Sequence, residues 1–192
     1  MLDGADLILD TSDRFAGRFV VVALGPLSNA ALALRRDPRR LARAARIVVM
    51  GGAVAVPGNV TAAAEFNLHV DPEAAALVFA SGLQIELVPL DVTRRVVMTR
   101  ADLGAALARH GGRTARFIED FTAHGFDFET QRGDGGMALH APLAVGVAVG
   151  LGAGGTLEQA IPPANAAAAL ACTKRGAQDS RPERAEVEAF LR

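Results

Sequence analysis

Asn59, Glu65 and Asn67 fall within one stretch, residues 58–73, that carries no core periodicity. Two amides and a carboxylate supply the mixed donors and acceptors that sugar hydroxyls require. Pro57 and Gly58 just ahead of them let the backbone turn toward a ligand. Such groups are costly to bury without partners. A solvated loop ending in a helix cap would have the same composition, so the chemistry of the stretch has to be judged from the elements around it.

Those elements follow from hydrophobic patterning. Apolar runs too short for helices, rich in valine and isoleucine, occur at 19–24, 47–50 and 85–90 and predict parallel strands buried on both faces. Between the first two lie helix-like stretches at 28–36 and 38–45, with Ser28 or Asn29 available as N-cap. Between the second and third, residues 71–81 form a helical stretch in which Asp71 caps, Pro72 suits the first turn and Gly82 ends the helix. The order is βαβαβ. Right-handed crossovers then place the loops after the strands on one edge of the sheet, where open α/β folds bind ligands. The loops at 25–29, 51–70 and 91–93 converge there, and the longest holds the sugar-like residues.

Beyond Thr93 the pattern turns helical. Thr99 is placed to cap a helix over 100–110, and a second helix spans 114–129. Its Phe117, Phe121, Phe126 and Phe128 read as core rather than ligand contacts. A glycine-rich turn at 133–136 leads to Leu139-His140-Ala141-Pro142 and to an apolar stretch, 141–155, read as a buried helix and its exit loop. The tail from 156 is alanine-rich, then polar, with a final helix expected over 184–191. The expected organisation is one partial domain over 1–192: a βαβαβ portion over 1–99, a helical portion over 100–155 and a divergent tail over 156–192.

Composition narrows the function classes. At 192 residues and 51% hydrophobic, the chain can bury a sizeable core. A net charge of −1 leaves no broad basic field for nucleic acid or an acidic membrane, and the arginines at 35–40 suit a solvated helix junction. Cys172 is the single cysteine, so no disulfide forms within the chain and a thiolate metal site lacks ligands, which fits a reducing cytoplasm. The aspartates at 3, 6 and 10 do not suit a secretory leader, and the 141–155 run is short for a membrane span.

Four segments carry a family likeness in their order: residues 22–29 (VALGPLSN), 49–53 (VMGGA), 58–73 and 90–93 (LDVT). With them the chain resembles the inosine/uridine-preferring nucleoside hydrolases, specifically over about 5–99 and more loosely to Pro142, with only Thr173-Lys174-Arg175-Gly176-Ala177 reminiscent beyond 155. The resemblance implies an α/β fold, a Rossmann-like open, mostly parallel sheet of the nucleoside hydrolase type. It also implies hydrolysis of the N-glycosidic bond of purine or pyrimidine ribonucleosides to base and ribose, within nucleoside salvage. In that family a bound calcium holds the ribose hydroxyls and the attacking water, and the ribose becomes oxocarbenium-like. Carried over by position, Asn59, Glu65, Asn67 and Met50 bind substrate. Ser28 offers a backbone carbonyl to calcium, and His140 assists the leaving base.

Two departures qualify those expectations. The family's Asp-Thr-Asp-x-Gly-x-Asp-Asp motif, which supplies most calcium ligands and the water-activating base, is not found in the chain, and Ala141 stands where the family has a calcium-ligating Asp. The chain is therefore expected to be an N-terminally truncated member lacking the first strands, with calcium weak or absent and turnover impaired. An uncovered sheet edge would favour self-association or a homo-oligomer. The competing reading is a non-catalytic ribose- or nucleoside-binding module or inactive fragment. A dinucleotide-binding domain is set aside for want of a strand-linked Gly-x-Gly-x-x-Gly fingerprint. Asp91 either orients loop backbone or acts on a ligand, and Asp71 is assigned to helix capping.

Overall fold

The computed structural model describes residues 3–131 and 135–156, together with residues 159, 185 and 189. All but residues 185 and 189 of the expected final helix, together with Cys172 and the 173–177 segment, lie outside the described residues. The chain divides into two compact units, residues 1–92 and 93–192.

The first unit opens with α1 (Gly4–Arg14), capped by Asp3, whose side chain accepts from the Asp6 N–H. Then follow β1 (Val20–Ala23), α2 (Ser28–Arg36), the short α3 (Pro38–Leu41), β2 (Arg46–Met50), α4 (Phe66–Val70), α5 (Pro72–Phe79), β3 (Ile85–Val88) and α6 (Leu90–Thr93), whose last residue, Thr93, is the first of the second unit. The strands pair in parallel in the order β1-β2-β3, with Val21 opposite Ile47 and Val49 opposite Leu87. This is the expected open, parallel, Rossmann-like α/β arrangement.

Burial separates the strands. Ile47, Val48, Val49 and Met50 are all buried, as a strand with neighbours on either side demands, whereas Ile85 and Glu86 are half-buried and Leu87 is exposed. The expectation of full burial on both faces thus holds for β2 and not for β1, where only Val21 is buried, or β3, the two strands that flank it in this sheet. Val21, Ile47 and Val49 pack with Leu27, Ala30 and Ala31 of the β1–α2 segment and Ala74, Ala75 and Val78 of α5. On the far side of α2, Ala33 joins Ala5, Leu9 and Leu41. Small residues on α2 let helices approach on two sides. Charge reinforces the outer contact: Arg36 pairs with Asp3 and Asp6, Arg40 with Asp10 and Asp13, and Arg43 with Asp13.

One local expectation fails. Neither Ser28 nor Asn29 caps α2; Leu27 occupies the N-cap position without a side-chain bond. The Ser28 hydroxyl is spent elsewhere, on the Asp71 carboxylate.

The second unit contains β4 (Val97–Met98), α7 (Arg100–His110), α8 (Gly112–Gln131), β5 (Met137–Ala138) and α9 (His140–Gly152). Thr99 and Asp102 form a reciprocal capping box at the start of α7. β4 and β5 are antiparallel, and the chain past Gly136 runs so close to Met98 that a Cβ there would stand 2.4 Å from the Met98 carbonyl oxygen. Met98, Leu103, Leu107, Phe126 and Leu139 form the core of this unit. Of the α8 phenylalanines only Phe126 is buried. Phe117 and Phe121 are 66% and 75% exposed and stack on each other at 5.9 Å, and Phe128 is exposed too. Among the described residues α7 and β5 pack against the Phe126 side of the helix, and the core reading of the other three is corrected. The apolar 141–155 run forms α9, with Leu143, Ala144 and Val147 buried as expected.

Candidate functional site

β2 ends at Met50 and the chain leaves it through Gly51 and Gly52. Gly52 has a φ of +82°, and a Cβ on Gly51 would stand 3.2 Å from a Glu65 carboxylate oxygen. The glycine pair therefore permits the strand end to approach the start of α4. Gly58 repeats the device more tightly: a Cβ there would lie 2.2 Å from the Ala64 carbonyl oxygen. The N–H groups of Asn59, Val60 and Thr61 all turn onto that carbonyl, and the Thr61 hydroxyl accepts from the N–H groups of Ala63 and Ala64. The long loop is thus a compact, internally bonded structure that ends in a short helix.

Within it, Glu65 is 3% exposed. Its Oε2 accepts from the Gly52 N–H at 2.9 Å and the Leu68 N–H at 3.2 Å, so one oxygen both caps α4 and clasps the strand exit. No donor among the described residues reaches Oε1. Asn67, 8% exposed, donates through Nδ2 to the Met50 carbonyl at 3.0 Å and, at 3.5 Å, to the Leu24 carbonyl, joining the ends of β2 and β1. The Met50 sulfur lies 3.2 Å from the same nitrogen. Asn59 is exposed. Its Oδ1 accepts from the Phe66 N–H at 2.8 Å, between Glu65 and Asn67, while no described residue bonds its Nδ2. The structure thus brings Asn59, Glu65, Asn67 and Met50 together around the start of α4 at the C-terminal end of the sheet.

Asp71 does more than cap α5. Its Oδ1 accepts from the Ala74 N–H, and the Ser28 hydroxyl donates to its Oδ2. The Ser28 bond, and secondarily the Ala74 N–H, hold this carboxyl below the usual carboxylate range. Asp91 takes the structural role: its two oxygens accept from the N–H groups of Val54 and Ala55 at 2.9 and 2.7 Å, tying down the loop.

His140 lies in the second unit as the first residue of α9. Its Nδ1 stands 2.6 Å from the hydroxyl of Thr93, which is fully buried. In the sequence Thr93 stands out only as the last residue of the 90–93 motif. The contact joins residues 47 apart, and no local pattern announces it. An opening of about 280 Å³ lies between α7 and α8, lined by Leu107, Ala108, Ala115, Arg116 and Glu119; none of the sugar-like residues borders it. The candidate site is marked by its chemistry.

Calcium takes roughly six to eight oxygen ligands. Among the described residues no three His, Cys, Asp or Glu side chains stand together to hold a metal. Asp71 and Asp91 are committed to Ser28 and to backbone N–H groups. Ser28 sits inside the first turn of α2, where a carbonyl serves the helix, and Ala141 offers only a methyl group. The described donors do not fit a calcium ion. No helix among the described residues is long and apolar enough to cross a membrane.

Comparison with known proteins agrees with the fold. The chain is 39% identical over 142 residues to the pyrimidine-specific ribonucleoside hydrolase of Escherichia coli O1:K1 / APEC, covering 72% of this chain and 44% of that protein. It is 35% identical over 142 residues to uridine nucleosidase 1 of Arabidopsis thaliana, covering 73% and 42%. The solved purine-preferring ribonucleoside hydrolase from Gardnerella vaginalis superimposes with a TM-score of 0.72 at 34% identity, over 78% of this chain and 48% of that one. The chain thus spans less than half the length of these proteins. Residues 2–187 match the family described as inosine-uridine preferring nucleoside hydrolase. With a parallel sheet whose strand exit is clasped by Glu65 and Asn67, and a family match along nearly its whole length, this chain belongs to the inosine-uridine preferring nucleoside hydrolases.

Proposed function

We propose that the chain takes a ribonucleoside by its ribose and serves hydrolysis of the N-glycosidic bond. Water adds at the anomeric carbon, the carbon–nitrogen bond breaks, and the base leaves with the proton that water gives up. The observation that carries this is the buried Glu65 carboxylate: Oε2 is fully engaged by two backbone N–H groups while Oε1 meets no described donor. A charged oxygen that is held rigidly and left without a protein donor suits a sugar hydroxyl, which would give it a charge-assisted hydrogen bond. Asn59 adds an exposed Nδ2 donor, and Asn67 is held in place by the strand-end carbonyls. His140 is assigned to the departing base.

The family match favours hydrolysis over a dedicated ribose-binding module. Turnover by this chain alone is expected to be slow, because Asp71 and Asp91 are already engaged and Ala141 ligates nothing. Calcium, where it acts, needs donors other than those described. A cytoplasmic location is supported by the single cysteine, and self-association by the exposed Phe117–Phe121 pair. Sedimentation velocity tests the latter, and a monomer at all concentrations would remove it.

Calorimetry with inosine, uridine and ribose, alongside a base-release assay with and without calcium, tests the main reading. Binding of the nucleosides should weaken by about tenfold or more in Glu65→Gln, the loss of one charge-assisted bond. A wild-type chain that binds none of the three ligands would overturn the ribose-site assignment.

A further inference from the structure

Phe126 packs α8 onto the core of the second unit, and Phe117, Phe121, His124 and Phe128 lie on the opposite side of the helix. Their spacing of four, three and four residues is that of a helical seam, and at 3.6 residues per turn it confines them to an arc of about 60°. All four are exposed, and Phe117 stacks on Phe121. An aromatic row that runs about three turns along a surface marks a face that meets another molecule.

Charge along the helix selects the occupant. The first turns carry Arg113 and Arg116, and the later ones Glu119, Asp120, Asp127 and Glu129. Arg113, Asp120 and Asp127 recur every seven residues, so they form one row along the edge of the aromatic stripe. Arg113 and Asp120 are exposed and enter no ion pair among the described residues. Asp127 pairs with Arg100 and still keeps 64% of its side chain in solvent. A row that is basic at its start and acidic further on is complementary to itself when reversed.

We propose that the exposed face of α8 is the interface between two copies of this chain, paired antiparallel about a twofold axis that passes at the level of Asp120. In an isologous contact each copy offers the same patch. Reversal sets Phe117 of one copy beside Phe121 of the other and the Arg113 end beside the Asp127 end, each contact made twice. Parallel pairing would set arginine on arginine and aspartate on aspartate. A second copy thus supplies both the aromatic surface and the reversed order of charge that this face requires. The two Asp120 side chains approach near the axis, and that like-charge contact keeps the association reversible. The inference rests on the self-association reading and is independent of nucleoside binding.

Sedimentation velocity of the full chain should show a monomer–dimer equilibrium. Phe121→Glu should weaken it by about tenfold or more, with the melting temperature of the dilute monomer unchanged because Phe121 is exposed there. Disulfide trapping in a Cys172→Ser background reads the orientation. Asp120→Cys, near the axis, should cross-link to its own copy. Arg113→Cys should not, because its two copies stand about 21 Å apart along the helices at 1.5 Å per residue, beyond the roughly 7 Å between Cα atoms that a disulfide spans. A mixture of Arg113→Cys and Asp127→Cys should cross-link. Equal self-cross-linking at 113 and 120, or a dimer undiminished by Phe121→Glu, overturns this interface and leaves self-association standing. A chain that stays monomeric at every concentration overturns both and leaves the face to a different partner.

Discussion

The side-chain amide of Asn67 donates to the Met50 carbonyl at 3.0 Å and so ties the short helix of the long loop to the end of the central strand. The same nitrogen reaches the Leu24 carbonyl past the neighbouring strand. A residue assigned to the sugar thus also holds together the strand ends that the sugar would approach.

Removing it should cost stability as well as binding. Asn67→Ala leaves the buried Met50 carbonyl without this donor, and the expected loss is about 1–3 kcal/mol. Asn67→Asp should be worse, since it sets a carboxylate against the same carbonyl. Urea unfolding measures both, and an Asn67→Ala chain as stable as wild type would mean that water takes over the bond.

Glu65 has two separable duties. Glu65→Ala removes the cap of α4 and the acceptor for the Gly52 N–H, with an expected cost of about 1–3 kcal/mol. Glu65→Gln keeps an acceptor for those N–H groups and should lose far less stability while still weakening nucleoside binding. Equal losses of stability in the two variants would contradict this division.

Two glycines on the loops after the strands should behave oppositely. A methyl group on Gly58 would collide with the Ala64 backbone, so Gly58→Ala should destabilise by about 1–3 kcal/mol or reshape the loop, and ligand binding should fall with it. Gly25 has nothing within 4 Å of the corresponding position, and Gly25→Ala should lie within about 0.5 kcal/mol of wild type. Thermal melts of the pair decide the matter.

Acid should weaken the first unit through identifiable carboxylates. The Arg36 guanidinium, then the Asp6 N–H, hold Asp3 well below its usual value, and the Ser28 hydroxyl does the same for Asp71. A depressed folded-state value means that the stabilisation is present above the unfolded value of 3.8 and is lost as pH falls through the folded one. Melting temperature should therefore hold at neutral pH and drop below about pH 4. Arg36→Ala and Ser28→Ala should each flatten that drop, Arg36→Ala less so in high salt because the pair is exposed. An unchanged acid profile in both variants would remove these carboxylates as its cause.

Added calcium should leave the melting temperature of this chain unchanged, and so should a chelator. A ligand that binds only the folded state raises stability in proportion to its occupancy, so a calcium-dependent rise would reveal donors beyond those described.

The sequence alone determined the elements whose causes are local. The β-branched run before Gly51 had to be a buried strand, Asp71-Pro72 had to open a helix, and Thr99 had to cap the next, because each rests on residues within a turn of one another. The identity of the sugar-like residues was legible in the same way, as a pattern of types and spacing. Only the tertiary structure decided what those residues bond to. One oxygen of Glu65 goes to Gly52, the Ser28 hydroxyl goes to Asp71 instead of capping its own helix, and Thr93 meets His140. The spacing of Phe117, Phe121 and Phe128 suits a buried face equally well, yet they are exposed while Phe126 is not. Periodicity specifies which residues share a face of a helix, whereas burial and long-range hydrogen bonds depend on which other elements the fold brings against that face.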